Sequence, residues 1–183
     1  MAPVRRKVLL LLLSAPLAWA DIAGCACDPA SPEALRERAC SLTGEAIAQP
    51  AGPLVFFVQD TNPKKANRWL AVLRVVRKGV YGLRDMTPEE RLRLWTAAIE
   101  KAKELWGDQW GLAYNSDSMR TQCQPHLHIG KLLPGVETGK FVVVSGPGRI
   151  PVPADGTGLW VHPRGANLHV HLGEQLTETI LLR

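Results

Sequence analysis

Residues 126–129 read His126-Leu127-His128-Ile129, alternating polar and apolar at a period of two. In a strand that period places His126 and His128 on one face and Leu127 and Ile129 on the other. The chain must therefore build a sheet that turns one face into a core and carries two imidazoles side by side on the opposite face. Such a pair suits a nucleophile with a neighbour, or half of a metal site. The plainer alternative is two half-exposed strand histidines, and the residues upstream decide between them.

The core face needs a cover, and Thr87-Pro88-Glu89-Glu90 begins one. Thr87 is an N-cap, Pro88 fits the first helical position, and Glu90 completes a capping box. Apolar residues follow at Leu92, Trp95, Ile99, Ala102 and Trp106, the spacing of one buried helical face, and Gly107 ends the run. Ser31-Pro32-Glu33 predicts a shorter helix through about Ala39. Strands are predicted at 54–58, 69–76, 111–115, 141–144, 159–162 and 168–172, the second returning antiparallel to the first, with 163–167 as the turn between the last two. The fold class is α+β: an antiparallel sheet, a covering helix and a C-terminal β extension.

The first twenty residues lie outside that domain. Arg5-Arg6-Lys7, the apolar run Val8 to Leu13, and Ala18-Trp19-Ala20 have the form of an export signal with a small-x-small cleavage site. Export to the periplasm or the exterior is expected. Ile22-Ala23-Gly24-Cys25 also fits a lipobox, which would lipidate Cys25 and tether the chain to a membrane. Without the signal, 19 basic residues face 17 acidic ones, a net charge of +2. No basic stripe is present, so nucleic acid is excluded as a partner. Cys25, Cys27, Cys40 and Cys123 make disulfides plausible in an oxidising compartment. If Cys25 is lipidated, Cys27 pairs with Cys40 and Cys123 stays free; if not, Cys25 or Cys27 pairs with Cys40. Segment boundaries fall at 1–20 (signal), 21–49 (cysteine-containing segment and short helix), 50–134 (core) and 135–183 (β extension).

Phe57-x-x-Asp60-x-x-Pro63, Arg68-Trp69-Leu70-Ala71-Val72, the capped helix, Asn115, and Gln122-Cys123-x-x-His126-Leu127-His128-Ile129 occur in that order. Together they resemble the histidine-triad superfamily of nucleotide hydrolases and transferases. Within it, Arg120-Thr121-Gln122-x-Gln124-x-His126-Leu127-His128 is most similar to the bacterial CDP-diacylglycerol pyrophosphatases. Gly130 stands where the third histidine would be. The resemblance implies hydrolysis or transfer at a nucleotide phosphoanhydride, with His128 as nucleophile and His126 beside the phosphate. It implies Asp60 on the ribose hydroxyls, with Asn115, Gln122 and Cys123 near the phosphates, and Arg68 facing either the phosphates or a carboxylate. The implied partner is a nucleotide-derived small molecule or a CDP-lipid, no cofactor is required, and a homodimer is the common assembly. A structural zinc found in some members would fall on Cys40, Thr43, Arg68 and His126, of which only two can bind it. Chemistry alone supports the same roles: phosphoryl transfer needs an in-line nucleophile and donors for the non-bridging oxygens, among which Lys131 and Arg120 also qualify.

The last fifty residues lie outside the resemblance and contain His162, His169 and His171. By the same alternation His169 and His171 share a face. Their hairpin could fold over the active face as a cap, with Glu174 and Glu178 joining it. Alternatively His126, His128, His169 and His171 could hold a divalent metal on neighbouring strands. The rival functions are therefore a metal-dependent enzyme or metal-binding module on these four histidines, and a catalytically inactive nucleotide-binding module.

Overall fold

The computed structural model describes residues 22–183; the expected export signal, residues 1–20, lies outside them. Seven strands form one antiparallel sheet: β1 (Val55–Gln59), β2 (Trp69–Leu73), β3 (Trp110–Tyr114), β4 (His126–Lys131), β5 (Val142–Val144), β6 (Gly158–Arg164) and β7 (Asn167–Glu174), in the order β1-β2-β4-β3-β6-β7-β5. Two α-helices accompany them, α1 (Ser41–Ala48) and α2 (Pro88–Trp106). The class is α+β. The C-terminal strands belong to the same sheet as the rest, because β6 pairs directly with β3.

Helix α2 has the predicted limits. Thr87 Oγ1 accepts from the Glu90 amide and Glu90 Oε2 accepts from the Thr87 amide, closing the capping box. Such a cap contributes about 1 kcal/mol. The buried stripe is shifted: Leu94 and Ala98 pack inward with Trp95, Ile99 and Ala102, while Leu92 is exposed. Leu94, Ala98 and Ala102 follow the i, i+4 row, so the stripe is centred between two rows rather than on the one running through Leu92. Against it lie Ala71, Leu73, Leu112, Leu127, Ile129, Leu159 and Val161, the inward face of the central strands.

The N-terminal helix starts later than predicted. Two 3-10 turns, Ala34–Arg36 and Arg38–Cys40, precede α1 at Ser41. Ser31 Oγ accepts the Ala34 amide at 3.3 Å, so the cap is used, but for a turn that does not propagate. The reason is covalent: Cys27 is bonded to Cys40, and Cys25 to Cys123. These pairings correct two expectations. Cys123 is neither free nor a thiol donor, and the sulfur a lipid would occupy on Cys25 is already committed to Cys123. Two disulfides fit an oxidising, non-cytoplasmic compartment, and no helix among the described residues is long and apolar enough to cross a membrane.

The β6–β7 hairpin extends the sheet instead of capping it. Arg164 pairs with Asn167, leaving Gly165-Ala166 as a two-residue turn with Gly165 at φ +59°, tighter than the predicted five-residue loop. What crosses the outer face is the tail beyond β7. A 3-10 turn, Thr177–Ile180, and Leu181 pack on Ala113 and Trp160. The tail accounts for Gly130. A Cβ there would lie 3.1 Å from Leu181 Cβ, and one at Gly111 2.8 Å from Leu181 Cδ2. The place of a third histidine is thus taken by chain from the C-terminus. Gly130→His is expected to lose about 1–3 kcal/mol of stability through overpacking, without any gain in catalysis; urea unfolding beside an activity assay checks both.

Candidate active site

Register fixes which side chains meet. Leu70 on β2 lies opposite His128 on β4, and His128 opposite Ala113 on β3. Ala113 is opposite Trp160, and Trp160 opposite His171. His162 is opposite His169. All five histidines of the chain therefore lie on the one sheet face that α2 does not cover. They do not form one cluster. Strands β4 and β7 are separated by β3 and β6, about 14 Å at the usual spacing. A single ion cannot be shared by His126, His128, His169 and His171, which corrects the four-histidine metal site.

His126 and His128 sit with ring centroids 5.1 Å apart at the wall of a cleft of about 600 Å³, a volume usual for small-molecule sites. His126 Nδ1 is 2.8 Å from the Gln124 carbonyl. A carbonyl only accepts, so Nδ1 carries the proton and Nε2 its lone pair. His128 has the same tautomer by two contacts: Nε2 is 3.5 Å from the Asn115 amide nitrogen, a donor, and Nδ1 is 3.4 Å from Glu178 Oε2. The latter contact is too long or too bent for a full hydrogen bond, and His128 Nδ1 has no such partner among the described residues. Glu178 acts on it as a nearby charge.

Glu178 is the hub. One carboxylate oxygen takes Lys65 Nζ at 2.8 Å, Arg68 Nη1 at 3.1 Å and the His128 ring. Burial pushes its carboxyl up, but His128, Lys65 and Arg68 together hold it below the ordinary value. Burial lowers His128 to about 4 in spite of Glu178, because Lys65 and Arg68 absorb much of that charge. Burial and the neighbouring His128 lower His126 to about 3. Both rings are neutral at pH 7.

The linkage has a definite sign. The unfolded chain takes up protons near pH 6.5 that the native rings refuse, so stability is complete above about pH 6.5. It falls as pH drops towards 4 and 3, by up to about 1.4 kcal/mol per pH unit for each ring. Urea unfolding between pH 7.5 and 5 is expected to show this fall, and a flat profile would contradict the buried neutral pair.

Local chemistry places the rest. Asp60 Oδ1 accepts the Asn62 amide at 2.9 Å and Asn62 Oδ1 the Lys64 amide at 3.0 Å. These Asx contacts shape the turn Pro63–Lys65 that brings Lys65 to Glu178. Asp60 thus serves as a turn residue and also lines the cleft; its second oxygen has no partner among the described residues. Asn115 Oδ1 accepts from Thr177 Oγ1 at 3.2 Å and the Glu178 amide at 3.0 Å, anchoring the tail beside His128. Val58 and Leu70, opposite each other on β1 and β2, give the cleft an apolar shelf next to His128.

Three expected phosphate contacts have other duties. Gln122 lines the cleft, but its amide accepts from Ser41 Oγ and the Leu42 amide and donates to the Arg38 carbonyl. It braces the N-terminal wall. Cys123 is locked to Cys25. Arg68 is buried behind Glu178 and donates to the carbonyls of Leu181 and Leu182, so it faces a carboxylate and not the phosphates. Arg120 is the better-placed cation. It lines the cleft while only 2% exposed, is held to Asp117 at 3.1 Å, and leaves Nε and Nη1 without a partner among the described residues. Lys65 and the central part played by Glu178 were not legible beforehand; no local motif marks a lysine in a turn or a glutamate in a tail as facing a strand fifty or more residues away.

No protein-family model matches this chain, and no curated protein matches it.

Proposed function

We propose that the chain is an exported hydrolase or transferase of nucleotide phosphoanhydrides, built on a histidine-triad-like sheet and working through His128. The observation that supports this most is His128 itself: a neutral ring at a cleft, its Nε2 lone pair met only by the 3.5 Å Asn115 contact, with a carboxylate beside the opposite nitrogen. Attack of Nε2 on the α-phosphorus forms a P–N bond and breaks the bridging P–O bond, releasing the far phosphate as the leaving group. The ring becomes cationic as the bond forms, and Glu178 lies where that charge appears. Arg120, the Asn115 amide and Lys65 are the donors for the non-bridging oxygens. Water then cleaves the P–N bond, with the His126 lone pair to orient it, and the nucleotide leaves. Asp60, beside the apolar shelf, has a carboxylate oxygen for ribose hydroxyls.

The Arg120-to-His128 motif makes a CDP-linked lipid the first substrate to try. The test is rapid quenching during turnover of CDP- and ADP-linked substrates, followed by mass spectrometry. An acid-labile nucleotidyl adduct on the peptide containing His128 is expected. Turnover without any adduct, or an adduct on another residue, overturns the proposal.

A further inference from the structure

On the same sheet face, beyond Trp160, a second cluster takes no part in the chemistry above. His162 on β6 is the centre. Its Nε2 is 3.4 Å from His171 Nε2 and 3.7 Å from Glu137 Oε1. Glu137 Oε1 is in turn 2.8 Å from His169 Nδ1. One ligand atom each from Glu137, His162 and His169 falls within 4.8 Å of the others. We propose that Glu137, His162 and His169 bind a divalent transition metal of the zinc class, with His171 supplying the fourth ligand.

Several features of the cluster favour this. A tetrahedral zinc with bonds of 2.0–2.1 Å separates its ligand atoms by about 3.3 Å; the His162–His171 and His162–Glu137 distances already approach that edge. The donor set is three imidazoles and a carboxylate, all oxygen and nitrogen, which suits zinc, copper(II) or nickel(II) and disfavours calcium. Two ring nitrogens, His162 Nε2 and His171 Nε2, face each other with no acceptor between them, an arrangement that a shared cation satisfies better than a hydrogen bond. The rings are also held in place from outside: Trp160 stacks on His171 at 3.5 Å, Phe141 on His169 at 3.9 Å, and Thr138 Oγ1 meets His171 Nδ1 at 3.3 Å. Such outer contacts orient metal-binding imidazoles. Glu137 is exposed and gives the ion a way in from solvent. The metal would pin the loop carrying Glu137 and Thr138 onto the β6–β7 hairpin.

The test is titration of tag-free, metal-stripped protein with Zn²⁺ by calorimetry, with thermal unfolding alongside. One equivalent is expected to bind, and a hundredfold excess over Kd to raise Tm by roughly 5–10 °C. His162→Ala should weaken binding at least about a hundredfold. Should that variant fail to fold, Glu137→Ala, at an exposed position, should still weaken binding clearly and abolish most of the Tm rise. His128→Ala should leave the titration unchanged. Binding that survives both His162→Ala and Glu137→Ala, binding lost with His128→Ala, or no binding beyond weak, multiple-site heat overturns the proposal.

Discussion

Replacing His128 by glutamine should lower the release of nucleotide from CDP- or ADP-linked substrates by at least about 10⁴-fold while the protein still folds. The size follows from removing a covalent nucleophile, with His126 assigned to orient water and not to attack phosphorus. The fold is expected to survive because His128 contributes no full hydrogen bond from Nδ1 and only a 3.5 Å contact from Nε2, while glutamine fits a strand flanked by Leu70 and Ala113. Steady-state rates with unfolding curves measure both. Glu178→Gln is the informative companion. It removes the charge beside Nδ1 but leaves the nucleophile, so turnover should drop only about a hundredfold and the His128 adduct should still form. It also leaves buried Arg68 without its carboxylate, at a cost of about 3 kcal/mol or more. Equal losses for the two variants, or full activity in the first, would remove His128 from its assigned role.

Exchanging Cys25 and Cys123 together for alanine should cost about 4–5 kcal/mol and lower Tm by roughly 10–20 °C. The bond spans 98 residues of sequence, and closing a loop of that length removes more unfolded-chain entropy than the 13-residue Cys27–Cys40 bond. The effect should reach the cleft. Arg38, Ser41 and Leu42 wall it on one side, and that wall is held by the two disulfides and the Gln122 amide. KM should rise more than kcat falls, since the wall touches substrate away from the reacting atoms. Unfolding in parallel with kinetics checks the pair of effects, and the double substitution avoids a lone thiol that could mispair.

Local signals carried much of the fold. The Thr87–Glu90 box and Gly107 set both ends of α2, and the alternation at residues 126–129 set the faces of β4. Where long-range constraints outweighed local ones, the reading failed. The Ser31 cap begins a turn, but disulfides from Cys27 and Cys40 hold the segment in short 3-10 pieces until Ser41. The site was legible to the extent that its members lie on regular strands or turns: His126, His128, Asp60 and Asn115 all reach the cleft. Glu178 and Lys65 lie 50 and 63 residues from His128 in opposite directions, and only the assembled fold brings Glu178 to its ring and Lys65 to Glu178. The disulfide of Cys123 and the bracing contacts of Gln122 escaped for the same reason. Their partners are in the N-terminal segment, which no spacing within residues 115–131 could reveal.

The strip of Gly111, Gly130 and Ala113, sealed by Leu181, divides the histidine-bearing face into two halves. With two strands between β4 and β7, substitutions on one side should combine with those on the other by simple addition of free energies, as expected beyond about 7–10 Å. Each half can then be redesigned on its own, one as a catalyst and the other as a clamp. A double-mutant cycle between His128 and His162 with a coupling energy near zero would express that independence.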